Sequence, residues 1–162
     1  LKHSEAKCEY CCANVGGYAG CQALFNQMTA QAFSDVNYFA QHRLVVDCYS
    51  LQHSEFYCAS AKSYAAHLTG LCAAIDYANK NEIDVAVRRW LDGKVEMDKP
   101  KVLAPCSRGT ITITHLQSAS DPLAHKKLVF DWARNIWKAY SELHGAAQTF
   151  IATAMRLRGR DG

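Results

Sequence analysis

The stretch His42-Arg43-Leu44-Val45-Val46-Asp47-Cys48-Tyr49-Ser50-Leu51-Gln52-His53 decides how the chain is read. Its apolar positions recur at three- and four-residue steps, the period of a helix with one buried side. Extended backwards, the pattern predicts one helix from about Val36 to Leu51, with Tyr38, Phe39, His42, Val45, Val46 and Tyr49 on a broad face. Val45-Val46 lowers helix propensity slightly, which packing readily overrides. The chain is expected to turn at Gln52-His53-Ser54.

Upstream, Leu24, Phe25, Met28, Ala32 and Phe33 predict a first helix beginning at Cys21, after the turn glycines Gly16, Gly17 and Gly20. Ser34-Asp35 is its expected break, with Asp35 capping the next helix. Downstream, Ser54 or Ser60 caps a third helix ending near Tyr77-Ala78, with Tyr64, Leu68, Leu71, Cys72 and Ile75 inward. A short helix from Ile83 to about Leu91 stops at Gly93. Pro100, Pro105 and Gly109 make 94–111 an irregular loop, with room for one short strand. Thr112 is the expected cap of a small helix through Ala119. Asp121-Pro122 starts the longest pattern, from about Leu123 to Arg158, which Gly145 either kinks or divides. Trp132, Trp137 and Tyr140 fall at helical spacing and read as core. The expected architecture is all-α: one domain over residues 1–162, a compact helical bundle with an irregular N-terminal zinc knuckle in residues 1–20.

Composition fits that reading. The 162 residues include 49% hydrophobic and 20% charged side chains, ordinary for a globular domain with a substantial core. A formal charge of +3 gives no strong prior for nucleic acid, and the basic tail Arg156, Arg158 and Arg160 reads as a solvated end. No apolar run spans a bilayer, and the first residues lack the order of a signal peptide, so a cytosolic location is expected. Eight cysteines allow four disulfides on paper. However, disulfide-dense scaffolds are smaller and loop-rich, and Cys48 and Cys72 lie inside apolar helical runs as small hydrophobes. Clustered thiols in a reducing compartment point instead to metal.

The metal reading starts from Cys8-Glu9-Tyr10-Cys11, a Cys-x-x-Cys knuckle that sets two thiolates on one ion. If the first two helices form an antiparallel hairpin, Cys21 at the start of one lies beside His53 at the end of the other. Cys8, Cys11, Cys21 and His53 then converge as zinc ligands, with Cys12 as a bystander. His42 lies about 16 Å from His53 along the axis of one straight helix and belongs to a different height of the bundle. A second hairpin is expected to set His42 opposite His67, near Asp47, with His144 able to join. Those four residues are the candidates for catalysis. A histidine-lined open metal position would make the protein a metal-dependent hydrolase, and Cys8 with Cys11 as a dithiol would make it a thiol redox protein. A core role for His42 is the competing reading. No Ser-His-Asp order, phosphate loop or His-Glu-x-x-His motif is present. The reading that fits most residues is a zinc-binding helical module with a chiefly structural ion and a protein or small-molecule partner. Neither that partner nor the oligomeric state is written in the sequence.

Three blocks, Cys8-x-x-Cys11-x-Ala13, Cys21-x-x-x-Phe25 and His42-x-Leu44-x-Val46-x-x-Tyr49-x-Leu51-Gln52-His53, resemble a bacterial family of uncharacterised proteins known only as a domain of unknown function. Looser echoes are Thr112-Ile113-Thr114-His115-Leu116 and Trp132-Ala133. Cys12 stands where such sequences often have Gly, and Ser54 where they often have Pro. The resemblance implies that Cys8, Cys11, Cys21, His42 and His53 form a structural or functional set, and it implies no activity.

Overall fold

A computed structural model describes residues 6–160. The regular elements are α1 (Gly17–Ser34), α2 (Val36–Phe39), α3 (His42–Gln52), α4 (Ser54–Tyr57), α5 (Ala61–Asp76), α6 (Lys80–Asp92), α7 (Pro122–Ala139) and α8 (His144–Arg158). Two 3-10 turns, Ile113–Ser118 and Ser141–Leu143, complete the set, and the described residues contain no strand. The fold is the all-α bundle expected from the periodicity.

At its centre is α5. Its neighbours are α3, α4, α6, α7 and α8. Its buried side chains include Tyr64, Leu68, Leu71 and Cys72, so nearly its whole circumference is enclosed. Ser60 begins it with a reciprocal cap: the Ser63 amide donates to Ser60 Oγ at 3.0 Å, and the Ser60 amide donates back to Ser63 Oγ at 3.3 Å. Cys48 and Cys72 are fully buried in the apolar core, as small hydrophobes should be.

Several helix boundaries differ from the sequence reading. The single helix expected over Val36–Leu51 is divided at Ala40-Gln41 into α2 and α3. α2 buries none of its residues, and its Tyr38 packs edge-on against His125 of α7. The long helix expected over Leu123–Arg158 is divided at Tyr140–Leu143, before Gly145 rather than at it. There the Tyr140 hydroxyl donates to the Leu51 carbonyl at 2.5 Å, and His144 Nε2 donates to the Trp137 carbonyl at 2.7 Å. A buried tertiary hydrogen bond, not local flexibility, sets this corner. α1 also begins one turn before Cys21, because Gly16 and Gly17 take left-handed φ values of 82° and 74° that admit the chain into the helix.

The packing of α3 on α5 is tightest at Gly70. A Cβ there would meet Asp47 Oδ2 at 2.3 Å. Asp47 is fully buried, accepts from His67 Nδ1 at 2.9 Å and from Arg43 Nε at 3.2 Å, and so needs that space. Gly70→Ala is expected to lower stability by about 1–3 kcal/mol through overpacking, measured by urea unfolding. Helix propensity alone would make the same change stabilising.

Candidate metal centre

The N-terminal knuckle is a small hairpin. The Cys8 amide donates to the Ala13 carbonyl at 2.8 Å, the Cys12 amide to the Cys8 carbonyl at 2.9 Å, and Lys7 bridges Asn14. The Ala6 carbonyl accepts from the amides of Gly16 and Gly17, and Glu9 Oε2 accepts from the Tyr18 amide at 3.1 Å. These bonds fasten the knuckle onto the first turn of α1, one turn before Cys21. His53 arrives from the opposite direction, as the residue that ends α3.

Together the four residues make one group. The ligand atoms of Cys8, Cys11, Cys21 and His53 all lie within 4.8 Å of one another, and all four side chains are buried. Cys8 Sγ is 3.6 Å from His53 Nε2, and Cys11 Sγ is 3.4 Å from Cys21 Sγ. A tetrahedron of thiolates about 2.3 Å from an ion has edges of roughly 3.8 Å, so the spacing suits a single ion. His53 Nδ1 donates to the Tyr49 carbonyl at 2.8 Å. With that nitrogen carrying the proton, the Nε2 lone pair faces the thiols, the orientation metal-bound histidines generally need.

Electrostatics within the group divides the thiols. A hydrogen bond from Cys21, stronger than the opposing effect of burial, lowers the Cys11 thiol to about 4. Cys21 is pushed up by that same bond to Cys11 and by burial, and Cys8 is pushed up chiefly by burial. Cys11 therefore gives up its proton more readily than Cys8 or Cys21. A divalent cation held here would stabilise all three as thiolates.

An aromatic wall encloses the imidazole. Tyr49 stacks on His53 with ring centres 4.0 Å apart, and Phe25 stacks on the other side of Tyr49 at 4.1 Å. Tyr18 stacks on Phe56 at 4.4 Å, and Tyr10 meets both edge-on. Phe25 and Tyr49 belong to the motif blocks. Tyr10, Tyr18 and Phe56 carried no signal of their own, beyond closeness in sequence to a ligand.

Gln52, just before His53, performs the opposite task. Its Nε2 donates to the carbonyls of Arg108 at 3.1 Å and Ile111 at 2.8 Å, and its Oε1 accepts from Trp132 Nε1 at 3.0 Å. Arg108, only 1% exposed, fills the space below. It donates to Glu55 through both terminal nitrogens, at 2.8 and 2.6 Å, and to the carbonyls of Gln52 and Leu103. Periodicity misses this residue because it lies in a Pro/Gly loop, where a charge reads as solvated.

Cys12 is drawn away from the group. It forms a disulfide with Cys106, 94 residues along the chain. Its φ of 66° is left-handed, a conformation that favours glycine.

Of the catalytic candidates, Asp47 and His67 are brought together and His42 and His144 are not. Asp47, about one and a half turns beyond His42, is the residue opposite His67. His42 lies against Phe33 and Phe39, and burial holds its imidazole below the ordinary range and hence neutral. His144 stacks on Trp137 at 3.9 Å. Among the described residues, none of these four enters a group of three or more metal-capable side chains.

A family of unknown function, DUF5946, matches residues 6–141, and the chain belongs to it. No curated protein and no solved structure matches the chain.

Arg108 holds the Glu55 carboxyl below its ordinary value of 4.5 by direct hydrogen bonds. A depressed carboxylate contributes stability above its unfolded pKa and loses it as pH falls through the folded one. Glu55→Gln is therefore expected to cost about 1–2 kcal/mol at pH 7, a figure discounted for Glu55's partial exposure. In urea titrations at several pH values, the gap from the unmodified protein should close below the ordinary carboxylate range. A gap that stays constant into acid would show that Arg108 does not depend on the charge.

Proposed function

We propose that the chain binds one zinc ion through Cys8, Cys11, Cys21 and His53, that the ion is chiefly structural, and that the domain acts in the cytosol as a binding or regulatory module for a protein or small-molecule partner. One observation carries this reading: four buried soft donors lie within 4.8 Å of one another. Three thiols and an imidazole are a recurrent structural zinc set, and four protein donors leave no position for a substrate or attacking water. The Tyr49 carbonyl, which fixes the His53 tautomer, supports it further. Among the described residues no helix is long and apolar enough to cross a membrane.

Metal analysis of protein purified at neutral pH is expected to return about one zinc per chain. Chelation should then lower the thermal midpoint, because binding free energy at such a site is also folding free energy. Protein free of stoichiometric zinc, with Cys8, Cys11 and Cys21 readily titrated in the folded state, would defeat the proposal. Iron in place of zinc would overturn the identity of the ion alone.

Acid should expel the metal. Cys8 and Cys21 have raised thiol pKa values and hold protons at neutral pH, whereas Cys11 is already ionised. Binding should therefore release about two protons per ion, and affinity should fall as pH falls. Calorimetric titration in buffers of different ionisation enthalpy reads the proton count directly. A pH-independent affinity between neutral and mildly acid conditions would contradict thiolate ligation.

A further inference from the structure

We propose that Cys12 and Cys106 are a reversible dithiol–disulfide couple, a surface redox site distinct from the four-residue metal group, which exchanges with low-molecular-weight thiols. Three observations carry it. First, the bond is accessible. Both cysteines are exposed, whereas the other six, Cys8, Cys11, Cys21, Cys48, Cys58 and Cys72, are buried. Cys106 opens onto two clefts of about 370 and 450 Å3. The first is also lined by Cys12, Thr112 and His115, and the second by Asn135 and Lys138.

Second, the two sides of the bond are held together by contacts other than the bond. The Cys106 amide donates to the Tyr10 carbonyl at 2.8 Å. Two residues on, Arg108 is anchored by Glu55 and by the carbonyls of Leu103 and Gln52. On the other side, the hairpin bonds of the knuckle fix Cys12. Cutting the sulfur–sulfur bond thus leaves two neighbouring thiols, not two free chain ends. Their effective concentration stays high, which is the requirement for closing again. A disulfide that served mainly to restrain an otherwise loose loop would lack these supports.

Third, access differs between the two sulfurs. Cys106 lines both clefts and Cys12 only one, so a thiolate is expected to attack Cys106 Sγ. The disulfide bond breaks, Cys12 leaves as a thiolate, and a mixed disulfide forms on Cys106. A second small-molecule thiolate attacks the non-protein sulfur of that mixed disulfide, and Cys106 leaves as a thiolate. The two protons given up by the incoming thiols end on Cys12 and Cys106. Two small thiols are oxidised to one disulfide, and the protein disulfide is reduced to two thiols.

The test equilibrates folded, as-purified protein with mixtures of reduced and oxidised glutathione, approached from both directions. After acid quenching and alkylation, peptide mass spectrometry reads each cysteine, while circular dichroism and metal content are recorded on the same samples. Alkylation at Cys12 and Cys106 should rise and fall together along one reversible curve, with helicity unchanged. Cys12→Ser should carry a glutathione adduct on Cys106, and Cys106→Ser one on Cys12. Three results would each overturn the proposal: a bond reduced only in denaturant, thiols at Cys12 and Cys106 that never re-close, or alkylation of Cys8, Cys11 and Cys21 that rises and falls on the same curve as that of Cys12 and Cys106. Because metal content is read separately, a protein without zinc that still shows the curve refutes the metal reading and leaves this one standing.

Discussion

The C-terminus of α3 is buried, and its free carbonyls must all be satisfied away from water. The structure answers with side chains from five places. The Tyr49 carbonyl accepts from His53, the Ser50 carbonyl from the Cys58 thiol, and the Leu51 carbonyl from Tyr140 and Ser54. The Gln52 carbonyl accepts from Arg108. An unpartnered buried carbonyl costs about 1–3 kcal/mol, so this one helix end fixes where α7 stops, where the 94–111 loop enters, and how His53 is turned. The metal-capable group is thus one face of a larger hydrogen-bonded junction. Arg108 also sets a positive charge at the negative end of the helix dipole.

The same junction accounts for consecutive residues that a pattern search sees only as Leu-Gln-His. His53 looks toward the thiols. Gln52 looks away, bridging a loop and Trp132. Leu51 is fully buried, while its carbonyl holds Tyr140. Three adjacent side chains serve three different neighbours because a helix end presents successive residues to different directions. The Asp47–His67–Arg43 cluster lies farther up the same helix. It is a buried carboxylate paired with His67 and Arg43 and fitted against Gly70, and it ties α3 to α5.

Much of this was legible in the sequence, and the failures have physical causes. Helical periodicity located the helices, and cap chemistry at Asp35, Ser60 and Asp121 marked three of their starts. The knuckle spacing and a hairpin argument gathered Cys8, Cys11, Cys21 and His53. Local patterns could not find the breaks at Ala40-Gln41 and Tyr140–Leu143, because neither contains the Gly or Pro that breaks a helix on its own account. The burial of Arg108, the bond of the Tyr140 hydroxyl and the Cys12–Cys106 pairing were hidden for a related reason. Their partners lie 53, 89 and 94 residues away, and burial of a polar group is decided by what arrives to meet it.

Those separations also order events in time. The knuckle thiols and Cys21 belong to one short segment, and His53 lies 45 residues beyond Cys8. The clasp of Arg108 on Gln52 closes 56 residues, and that of Tyr140 on Leu51 closes 89. Loop-closure entropy rises with the logarithm of length, and contacts near in sequence form faster than distant ones. The thiol end of the molecule can therefore assemble before the carbonyls behind it are covered. Once residues up to His53 are exposed, every donor of the metal group is present, while the helix end that orients His53 still awaits residues that come much later.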